Sequence, residues 1–453
     1  MILNRMRKTV VPDKKCEMRK IICSPLRNIA VFAVTLSVLW LLLFLSALIP
    51  NSAIEKNYKS SVYYYSDKDA FEFTDGRRLC SVQDNYADSI WLNVSWNMGK
   101  GNALTSSILT GYYDGENYGE NAGLYYTVIE GASPNTDYTR YWHGTAMFIR
   151  LLHLFTDVEG VKNIGFCAFA VLAIFAFFLL WKRKHTDIAV ILALSLALVQ
   201  VWNIRLSIEY QPAFILAFLL VPLFLVLERK GDGYLTLLCT ISGTAVAFFD
   251  FLTTESVTLL LPLALVVAVR GKEKRSGNPK QNLLLLLECG LCWGFAYIGA
   301  FLVKWLAAGF AGDVNAFSLA LESAGVHTLG GSVQGIEVHN RPDNFLSGIF
   351  ANLTVLFGGV LRVEYIRVFA GIAISFGILF SVWYVFRSKD KAKYPSIEMF
   401  ALGLVVFVRF LVLNNHSFVH EFFVYRALVT PVFALLVTLW FNVSFSGKKR
   451  SKK

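Results

Sequence analysis

Hydrophobic segments of membrane-spanning length, separated by short basic clusters, constrain the fold of this chain more than any other feature. The first such segment, 28–50, is long enough to cross a bilayer. Nine further segments are predicted to cross it: 162–181, 187–204, 210–228, 234–251, 255–270, 282–308, 365–386, 396–413 and 425–443. With 55% hydrophobic and only 17% charged residues, the chain is predicted to be an all-α polytopic membrane protein with about ten transmembrane helices.

The basic clusters predict how these helices are oriented. Lys and Arg are concentrated in the first 27 residues and in the segments 181–185, 228–230, 270–275, 387–393 and 447–453. Because cytoplasmic loops are enriched in Lys and Arg, this pattern predicts a multi-pass protein of the cell membrane with both termini in the cytoplasm. The net charge of +11 is therefore a topology signal, and it does not indicate a nucleic-acid partner.

The same pattern divides the chain into five parts. They are a basic cytoplasmic tail (1–27), a first transmembrane helix (28–50), a large external loop (51–160), a multi-helix bundle (161–445) with a second external loop (309–345), and a basic tail (446–453). No cleavage site of the A-x-A kind ends 28–50, so we expect a retained helix and not a removed signal peptide. The segment AMFIRLLHLF (146–155) is predicted to lie in the membrane interface, and 344–361 to be interfacial or re-entrant.

The segment 80–96, CSVQDNYADSIWLNVSW, carries the candidate catalytic acids Asp84 and Asp88. On a helix, residues four apart lie on one face, so both carboxylates would point the same way. Such aspartates commonly serve only as an N-cap and a solvated first turn. We favour Asp84 as the general base because it comes first, before the apolar face of the helix begins.

Most of the remaining unusual polar residues fall at the predicted external ends of the helices. A charge within a membrane costs several kcal/mol unless it faces a wet cavity or a partner, so these residues are functional candidates. Snorkelling from a helix end would explain single residues, but not the collection of acids, bases and histidines on one side. The set comprises Arg205, Glu209, Asp250, Glu255, Lys304, His327, Glu337, His339, Arg341, Arg409, His416, His420, Glu421 and Arg426.

These residue types together favour transfer from a lipid-linked phosphate. Asp84, Asp88 and Asp250 could remove a proton or orient a hydroxyl, and Lys304, Arg409 and Arg426 could hold a phosphate. His416 and His420 have the spacing of metal ligands, but no third ligand follows at an obvious spacing. A phosphate-facing or hydrogen-bonding role is therefore favoured over metal binding, and no metal ligand is assigned.

Five motifs follow one another along the chain and together span most of it: DNYAD (84–88), WLN (91–93), RYWHG (140–144), FFDFLTTE (248–255) and NHSFVHEFFVYR (415–426). These motifs and their order resemble the GT-C superfamily of membrane glycosyltransferases, in a bacterial branch. The resemblance also rests on the layout, in which a first helix precedes a large external loop and a bundle. Members usually place the key acid nearer the first helix than the insert 51–79 allows here.

The resemblance implies a polyprenyl-phosphate sugar donor and a glycan, lipid or cell-wall polymer acceptor at the outer face. It implies a catalytic acid in the first external loop, which corresponds to Asp84 or Asp88. Some members need a divalent metal and many do not, so no cofactor is assigned. The residues assigned to substrate binding are Arg140, His143, Asp250, Glu255, Lys304, Arg409, His416, His420 and Arg426.

Three alternatives to a transferase remain open at this stage. A flippase or transporter of lipid-linked oligosaccharides would favour charges at mid-membrane and repeated halves, and no internal repeat stands out. A polymerase of lipid-linked repeat units would share the substrates but usually carries its large loop late in the chain. A non-enzymatic scaffold would leave the one-sided polar cluster unexplained.

Overall fold

The structure is almost entirely helical. The computed structural model describes residues 14–76, 78–115, 119–250, 252–312, 314–329, 332–333, 336–337, 345–360 and 395–442. Helices make up 77% of the structure, which agrees with the predicted all-α membrane protein. Within the described residues, five helices are long and apolar enough to cross a membrane: Pro25–Ala47, Val158–Lys182, Asp232–Phe249, Pro279–Ala311 and Glu421–Asn442.

The elements follow one another in this order along the chain. The helices up to the first long loop's end are α1 (Lys14–Ala47), α2 (Asn51–Ser66), α3 (Asn85–Asn97), α4 (Ala103–Ile108), α5 (Gly119–Tyr125) and α6 (Ala146–Leu152). The later helices are α7 (Val158–Lys182), α8 (Thr186–Leu198), α9 (Pro212–Leu227), α10 (Asp232–Phe249), α11 (Val257–Lys272), α12 (Pro279–Ala311), α13 (Ala316–Leu329), α14 (Ser347–Val360), α15 (Ser396–Val412), α16 (Asn414–Val419), α17 (Glu421–Val424) and α18 (Val429–Asn442). Three antiparallel strand pairs are short: β1 (Phe71–Phe73) with β2 (Val82–Asp84), β3 (Gly111–Tyr112) with β4 (Thr136–Asp137), and β5 (Ser332–Val333) with β6 (Ile336–Glu337).

The ten predicted spans are confirmed only in part. Helices occupy nine of the ten predicted segments, while 365–386 lies outside the described residues. Several of these helices are shorter than a bilayer is thick; α8 has 13 residues and α9 has 16. Helix α8 ends early because Gln200 adopts a φ of 49°, and a 3-10 segment, Val201–Leu206, continues the chain.

Close helix packing forms the centre of the bundle. Helix α10 packs against α1, α9 and α12. At Gly243 of α10, an added Cβ would lie 2.2 Å from the carbonyl oxygen of Trp293 in α12. Only glycine permits this approach, so the backbones of α10 and α12 come into direct contact here.

The segment 51–157 forms a layer over one end of the bundle, which we call the loop side. Its core contains Ile54, Tyr58, Trp91 and Ile149, all at most 1% exposed. Arg150 of α6 is buried and donates hydrogen bonds to the carbonyl oxygens of Ser46 (3.0 Å), Ser95 (2.6 Å) and Ile49, and to Asn51 Oδ1 (3.1 Å). The predicted interfacial helix therefore exposes Phe148 and Leu151 while its arginine ties the loop layer to the end of α1.

The end of this layer closes onto α10. The Gly144 backbone N–H donates to the carbonyl oxygen of Phe248 at 2.8 Å, and Thr145 Oγ1 donates to that of Phe249 at 2.9 Å. An added Cβ at Gly144 would lie 2.2 Å from Phe248 Cδ1, which explains the glycine in RYWHG. These contacts place the loop layer directly beside Asp250, the residue that ends α10.

Candidate functional site

Asp88 is a fully buried hydrogen-bond acceptor that joins three parts of the chain. Its Oδ1 accepts from Ser207 Oγ at 2.7 Å and from the Ile208 backbone N–H at 2.8 Å, while its Oδ2 accepts from Tyr65 OH at 2.8 Å. Lys162 Nζ lies 3.4 Å from the same oxygen. This set of partners satisfies the carboxylate, so Asp88 positions the turn after α8 and the start of α7.

Asp84 has a different environment, at the junction of β2 and α3. It is the N-cap of α3, because its Oδ1 accepts from the Ala87 backbone N–H at 2.8 Å. Its side chain is 3% exposed. The local sequence explains this position, since an aspartate followed by a helix-forming run is a preferred cap.

A third carboxylate of the cluster follows α10. The side chain of Asp250 accepts from the Thr253 backbone N–H at 2.9 Å and from Thr253 Oγ1. Burial, and then the neighbouring charge of Glu255, raise the pKa of Asp250 to about 7. An acid of this kind is partly protonated near neutral pH, so it can either accept or donate a hydrogen bond to a ligand.

Glu209 completes this acidic group. It lies in the turn between the 3-10 segment and α9, is 9% exposed, and lies within electrostatic reach of Asp84, Asp88 and Asp250. Burial and these three acids raise the pKa of Glu209 well above its usual range. The sequence indicated Glu209 as one of the polar candidates at the predicted external helix ends, but assigned it no role. Its position beside Asp84 depends on tertiary contacts that spacing does not reveal.

Glu255 and Arg409 form a buried ion pair between the α10–α11 turn and α15. Arg409 Nε donates to Glu255 Oε1 at 2.9 Å and Nη2 donates to Oε2 at 3.1 Å, which is a bidentate arrangement. The guanidinium also donates to Ser417 Oγ at 3.1 Å and to the Leu252 carbonyl oxygen at 2.6 Å. The charge of Arg409 is thereby largely engaged within the protein.

Three histidines lie next to this ion pair. The ring centroids of His416 and His327 are 5.0 Å apart, and those of His416 and His420 are 4.7 Å apart. Burial lowers the pKa of His327 to about 3, that of His420 to about 4, and that of His416 well below its usual range. All three are therefore neutral imidazoles at physiological pH. His416 Nδ1 has no hydrogen-bond partner in the described part of the chain.

Arg140, His143 and Lys304 form a third group beneath the loop layer. The Arg140 guanidinium lies 4.4 Å from the ring centroid of Tyr138. Lys304 Nζ donates to the Ile108 carbonyl oxygen and lies 5.2 Å from the ring centroid of Trp142. His143 Nδ1 donates to the Tyr141 carbonyl oxygen at 2.9 Å, and burial, followed by the charge of Lys304, lowers the pKa of His143 well below its usual range.

Arg426 reaches the opposite side of the acidic group. Its Nη2 donates to the Cys80 carbonyl oxygen at 3.0 Å, just before β2, and its guanidinium lies 5.0 Å from the Tyr210 ring centroid. The side chain is 1% exposed. Its Nε has no hydrogen-bond partner among the residues that the structure describes. A buried N–H of this kind is suited to a ligand oxygen or to a bound water.

The predicted site residues thus form three neighbouring groups on the loop side. The group beneath the loop layer borders the other two, because Tyr138 lies within electrostatic reach of Glu209 and Arg140 lies within electrostatic reach of His327. The histidine group borders the acidic group, because Arg409 lies within electrostatic reach of Asp250. The three cations of the predicted phosphate clamp, Lys304, Arg409 and Arg426, belong to different groups and have separate partners. The predicted candidates His339 and Arg341 lie outside the described residues.

The chemistry of the donor set does not identify a resident metal. Across the described ranges, no group of three or more His, Cys, Asp or Glu side chains is placed to hold a metal ion. The histidine group provides imidazole nitrogens from α13 and α16, and the acidic group provides carboxylates from three turns. Both sets can bind polar ligands through hydrogen bonds without a metal.

Comparison with known proteins leaves the family open. No protein-family model, curated protein or solved structure matches this chain. The resemblance to GT-C glycosyltransferases therefore stays a prediction from the motifs, and the function must be argued from the geometry of the site.

Proposed function

We propose that this protein is a membrane glycosyltransferase that moves a sugar from a polyprenyl-phosphate donor to a hydroxyl acceptor at the loop side of the membrane. The acceptor class is a glycan, a lipid or a cell-wall polymer. The single observation that carries this proposal is the convergence of Asp84, Glu209 and Asp250, which come from distant parts of the chain, at the membrane end beneath the loop layer.

The surroundings of these acids favour group transfer over transport. Asp84 and Asp250 are 3% exposed and Glu209 is 9% exposed, so water has little access to these acids, and the neutral histidines and Arg409 lie nearby. In the proposed reaction, the acceptor oxygen forms a bond to the anomeric carbon while the bond from that carbon to the phosphate oxygen breaks. The electron pair leaves with the polyprenyl phosphate, and N–H donors stabilise the charge that develops there.

The chain offers specific groups for each part of this reaction. Asp84 contacts the acceptor hydroxyl from the first loop. Arg426 and Arg140 each have a buried Nε without a hydrogen-bond partner among the described residues, so both can donate to the phosphate. The histidine group provides further N–H donors, and Lys304 and Arg409 add positive charge behind this first layer.

The proposal is tested by reconstituting the full chain into liposomes that contain a panel of polyprenyl-phosphate hexoses, radiolabelled in the sugar. Membrane lipid and cell-envelope glycan are supplied as acceptors. We expect the wild type to move label to an acceptor and to release polyprenyl phosphate. The Asp84→Asn variant should transfer sugar at least about 10²-fold more slowly than the wild type, because misplacing a reacting group costs about that much in rate.

Asn also caps helices well, so Asp84→Asn should keep the fold and the melting temperature of the wild type. A wild type that releases no polyprenyl phosphate with any donor, yet moves intact donor between leaflets, would show a transporter and would contradict the proposal. Equal transfer by the wild type and Asp84→Asn would remove Asp84 from the site while leaving the transferase activity established.

A further inference from the structure

Glu209 is held in place by contacts made on the residues just before it. Asp88 accepts hydrogen bonds from Ser207 Oγ and from the Ile208 backbone N–H, at 2.7 and 2.8 Å. The Glu209 backbone N–H donates to the same Ser207 Oγ at 3.2 Å. Helix α9 then begins at Pro212, which fixes the chain on the other side. The position of Glu209 is therefore set by the fold and not by bonds to its own carboxylate.

The Glu209 carboxylate has no hydrogen-bond or ion-pair partner among the residues that the structure describes, although the residue is 91% buried. Arg205, four residues earlier, is exposed and does not pair with it. A buried carboxylate without a partner is strongly disfavoured when it is charged. Such a group either carries a proton in the resting protein or exchanges one with a ligand.

The neighbouring acids differ from Glu209 in this respect. Asp84 accepts the backbone N–H of Ala87 as a helix cap, and Asp250 accepts two hydrogen bonds from Thr253. Asp88 accepts three hydrogen bonds and faces Lys162. Donated hydrogen bonds stabilise the charged form of a carboxylate and make it a weaker base. Among these four acids, the geometry makes Glu209 the strongest proton acceptor.

We propose that Glu209, and not Asp84, receives the proton of the acceptor hydroxyl during sugar transfer. This inference rests on the proposed function. As the acceptor oxygen bonds to the anomeric carbon, its proton passes to a Glu209 carboxylate oxygen, and the polyprenyl phosphate leaves with the electron pair of the broken bond. Asp84 orients the hydroxyl, and after product release Glu209 returns its proton to water.

The electrostatic surroundings suit this role. The titratable groups that face Glu209 are acids and phenols from several elements: Asp84, Asp88, Tyr138, Tyr210 and Asp250. Burial and the three acids raise the pKa of Glu209, and among the described residues none of the groups that shift this pKa is a cation. A general base is most effective when its pKa lies near the working pH, so a raised pKa favours catalysis.

The activity test compares Glu209→Gln, Glu209→Asp and Glu130→Gln with the wild type, using the polyprenyl-phosphate hexose that the wild type transfers. Glu130 is an exposed glutamate in the same loop layer and is the matched control. We expect Glu209→Gln to lower kcat by about 10²–10⁴-fold, which is the usual contribution of a general base. Glu209→Asp should recover part of this loss and shift the acidic limb of the pH–rate profile.

Thermal unfolding separates this role from a structural one. Because Gln cannot ionise and breaks no ion pair among the described residues, Glu209→Gln should melt at or above the wild-type temperature while its activity falls. Transfer by Glu209→Gln at the wild-type rate would overturn the inference and leave the glycosyltransferase proposal standing. An unchanged acidic limb in Glu209→Asp would equally overturn it.

A second measurement does not depend on any sugar substrate. Dicyclohexylcarbodiimide reacts with protonated carboxyl groups in apolar surroundings, and the adduct is located by mass spectrometry. We expect an adduct at Glu209 whose yield decreases as the pH rises, and none at Glu130. The absence of an adduct at Glu209 even at pH 5 would overturn the inference. If the wild type transfers no sugar but Glu209 is labelled, the proposed function fails. The labelling would still show that Glu209 is a protonated carboxyl group in apolar surroundings.

Discussion

Asp88 and Ser207 are 119 residues apart in the chain, yet Ser207 Oγ donates a hydrogen bond to Asp88 Oδ1 at 2.7 Å. This bond joins α3, the helix that Asp84 caps, to the turn that carries Glu209. The distance between these two candidate acids therefore depends on Asp88, although Asp88 itself has no unused oxygen pointing at a ligand. Asp88 is a positioning residue in this arrangement.

Asp88→Asn is expected to destabilise the protein, in contrast to Asp84→Asn. The substitution leaves Lys162 buried without its counter-charge, and breaking a buried ion pair costs about 3–5 kcal/mol. Thermal unfolding in detergent measures the effect, with expression in the membrane fraction as a second readout. The control is Lys162→Met, alone and combined with Asp88→Asn.

The double variant should be less destabilised than the sum of the two single variants, because neither charge is then left alone. Additive effects would show that Asp88 and Lys162 do not interact. An Asp88→Asn variant as stable as the wild type but without transfer activity would return Asp88 to the list of catalytic acids.

Arg409 and Arg426 should respond differently to the same substitution. Arg409 is paired with Glu255 through two hydrogen bonds, so Arg409→Gln should destabilise the fold. Arg426 has a buried Nε without a partner among the described residues, so Arg426→Gln should mainly weaken the binding of polyprenyl phosphate. Losing one hydrogen bond to a charged group costs about 1.5–3 kcal/mol, which is a decrease in affinity of roughly ten- to a hundredfold.

Binding is measured by the quenching of tryptophan fluorescence with polyprenyl phosphate in detergent, beside a thermal unfolding curve for each variant. Arg409→Gln combined with Glu255→Gln serves as the control, because it removes both charges of the pair. Wild-type affinity in Arg426→Gln would exclude this residue from the phosphate site. A fully stable Arg409→Gln variant with weakened binding would instead support the prediction that Arg409 contacts the phosphate together with Lys304 and Arg426.

The sequence predicted the region of the site but not how its residues are paired. Polar residues are rare in apolar segments, so the sequence predicts on which side of the membrane they gather. Asp250, Arg409 and His416 are predicted as site candidates on this ground. The bidentate pair of Arg409 with Glu255 joins residues 154 positions apart, and no local pattern encodes it. The sequence predicts Glu209 as one of the polar candidates, but only the fold shows that its carboxylate has no hydrogen-bond or ion-pair partner among the described residues.

The positions of the helices could be predicted from the sequence, but some of their ends could not. Helices occupy nine of the segments that hydropathy predicted, because burial in lipid and burial in protein both require apolar side chains, but only five helices in the described residues have the length and composition of a membrane span. The early end of α8 depends on the left-handed backbone at Gln200, which a hydropathy pattern cannot reveal. The N-cap at Asp84 was predictable, because capping depends on residues that are adjacent in sequence.

Asp250 should make the stability of the protein depend on pH near neutrality. Its pKa is raised from 3.8 to about 7, so the folded state favours the protonated form. The stabilisation from this group is present in full below about pH 4 and is lost as the pH rises through about 7. Asp250→Asn cannot ionise and should therefore gain stability relative to the wild type as the pH rises from about 4 to about 7, by up to about 1.4 kcal/mol per pH unit, with no further gain above that.

The measurement is the difference in unfolding free energy between Asp250→Asn and the wild type at each pH. Both proteins carry Glu209→Gln, because the charge of Asp250 raises the pKa of Glu209 and the two acids would not titrate independently. The buried histidines titrate in both proteins, so their contributions cancel in this difference. A constant difference across the range would show that Asp250 titrates below pH 5 in the folded protein. Its place in the site would then be that of an ionised acid.

Membrane orientation is the remaining prediction, and the placement of the site depends on it. The clusters of Lys and Arg predict that the loop side faces outward and that the α7–α8 turn faces the cytoplasm. In a background without the seven native cysteines, single cysteines are placed at Glu130 in the loop layer and at Lys184 in that turn; both positions are exposed. In intact cells, a membrane-impermeant maleimide should label Glu130→Cys and should reach Lys184→Cys only after permeabilisation.

Labelling of Lys184→Cys alone in intact cells would reverse the orientation, placing the acidic group at the cytoplasmic surface, where nucleotide sugars are available. The donor class proposed for this protein would then have to be replaced.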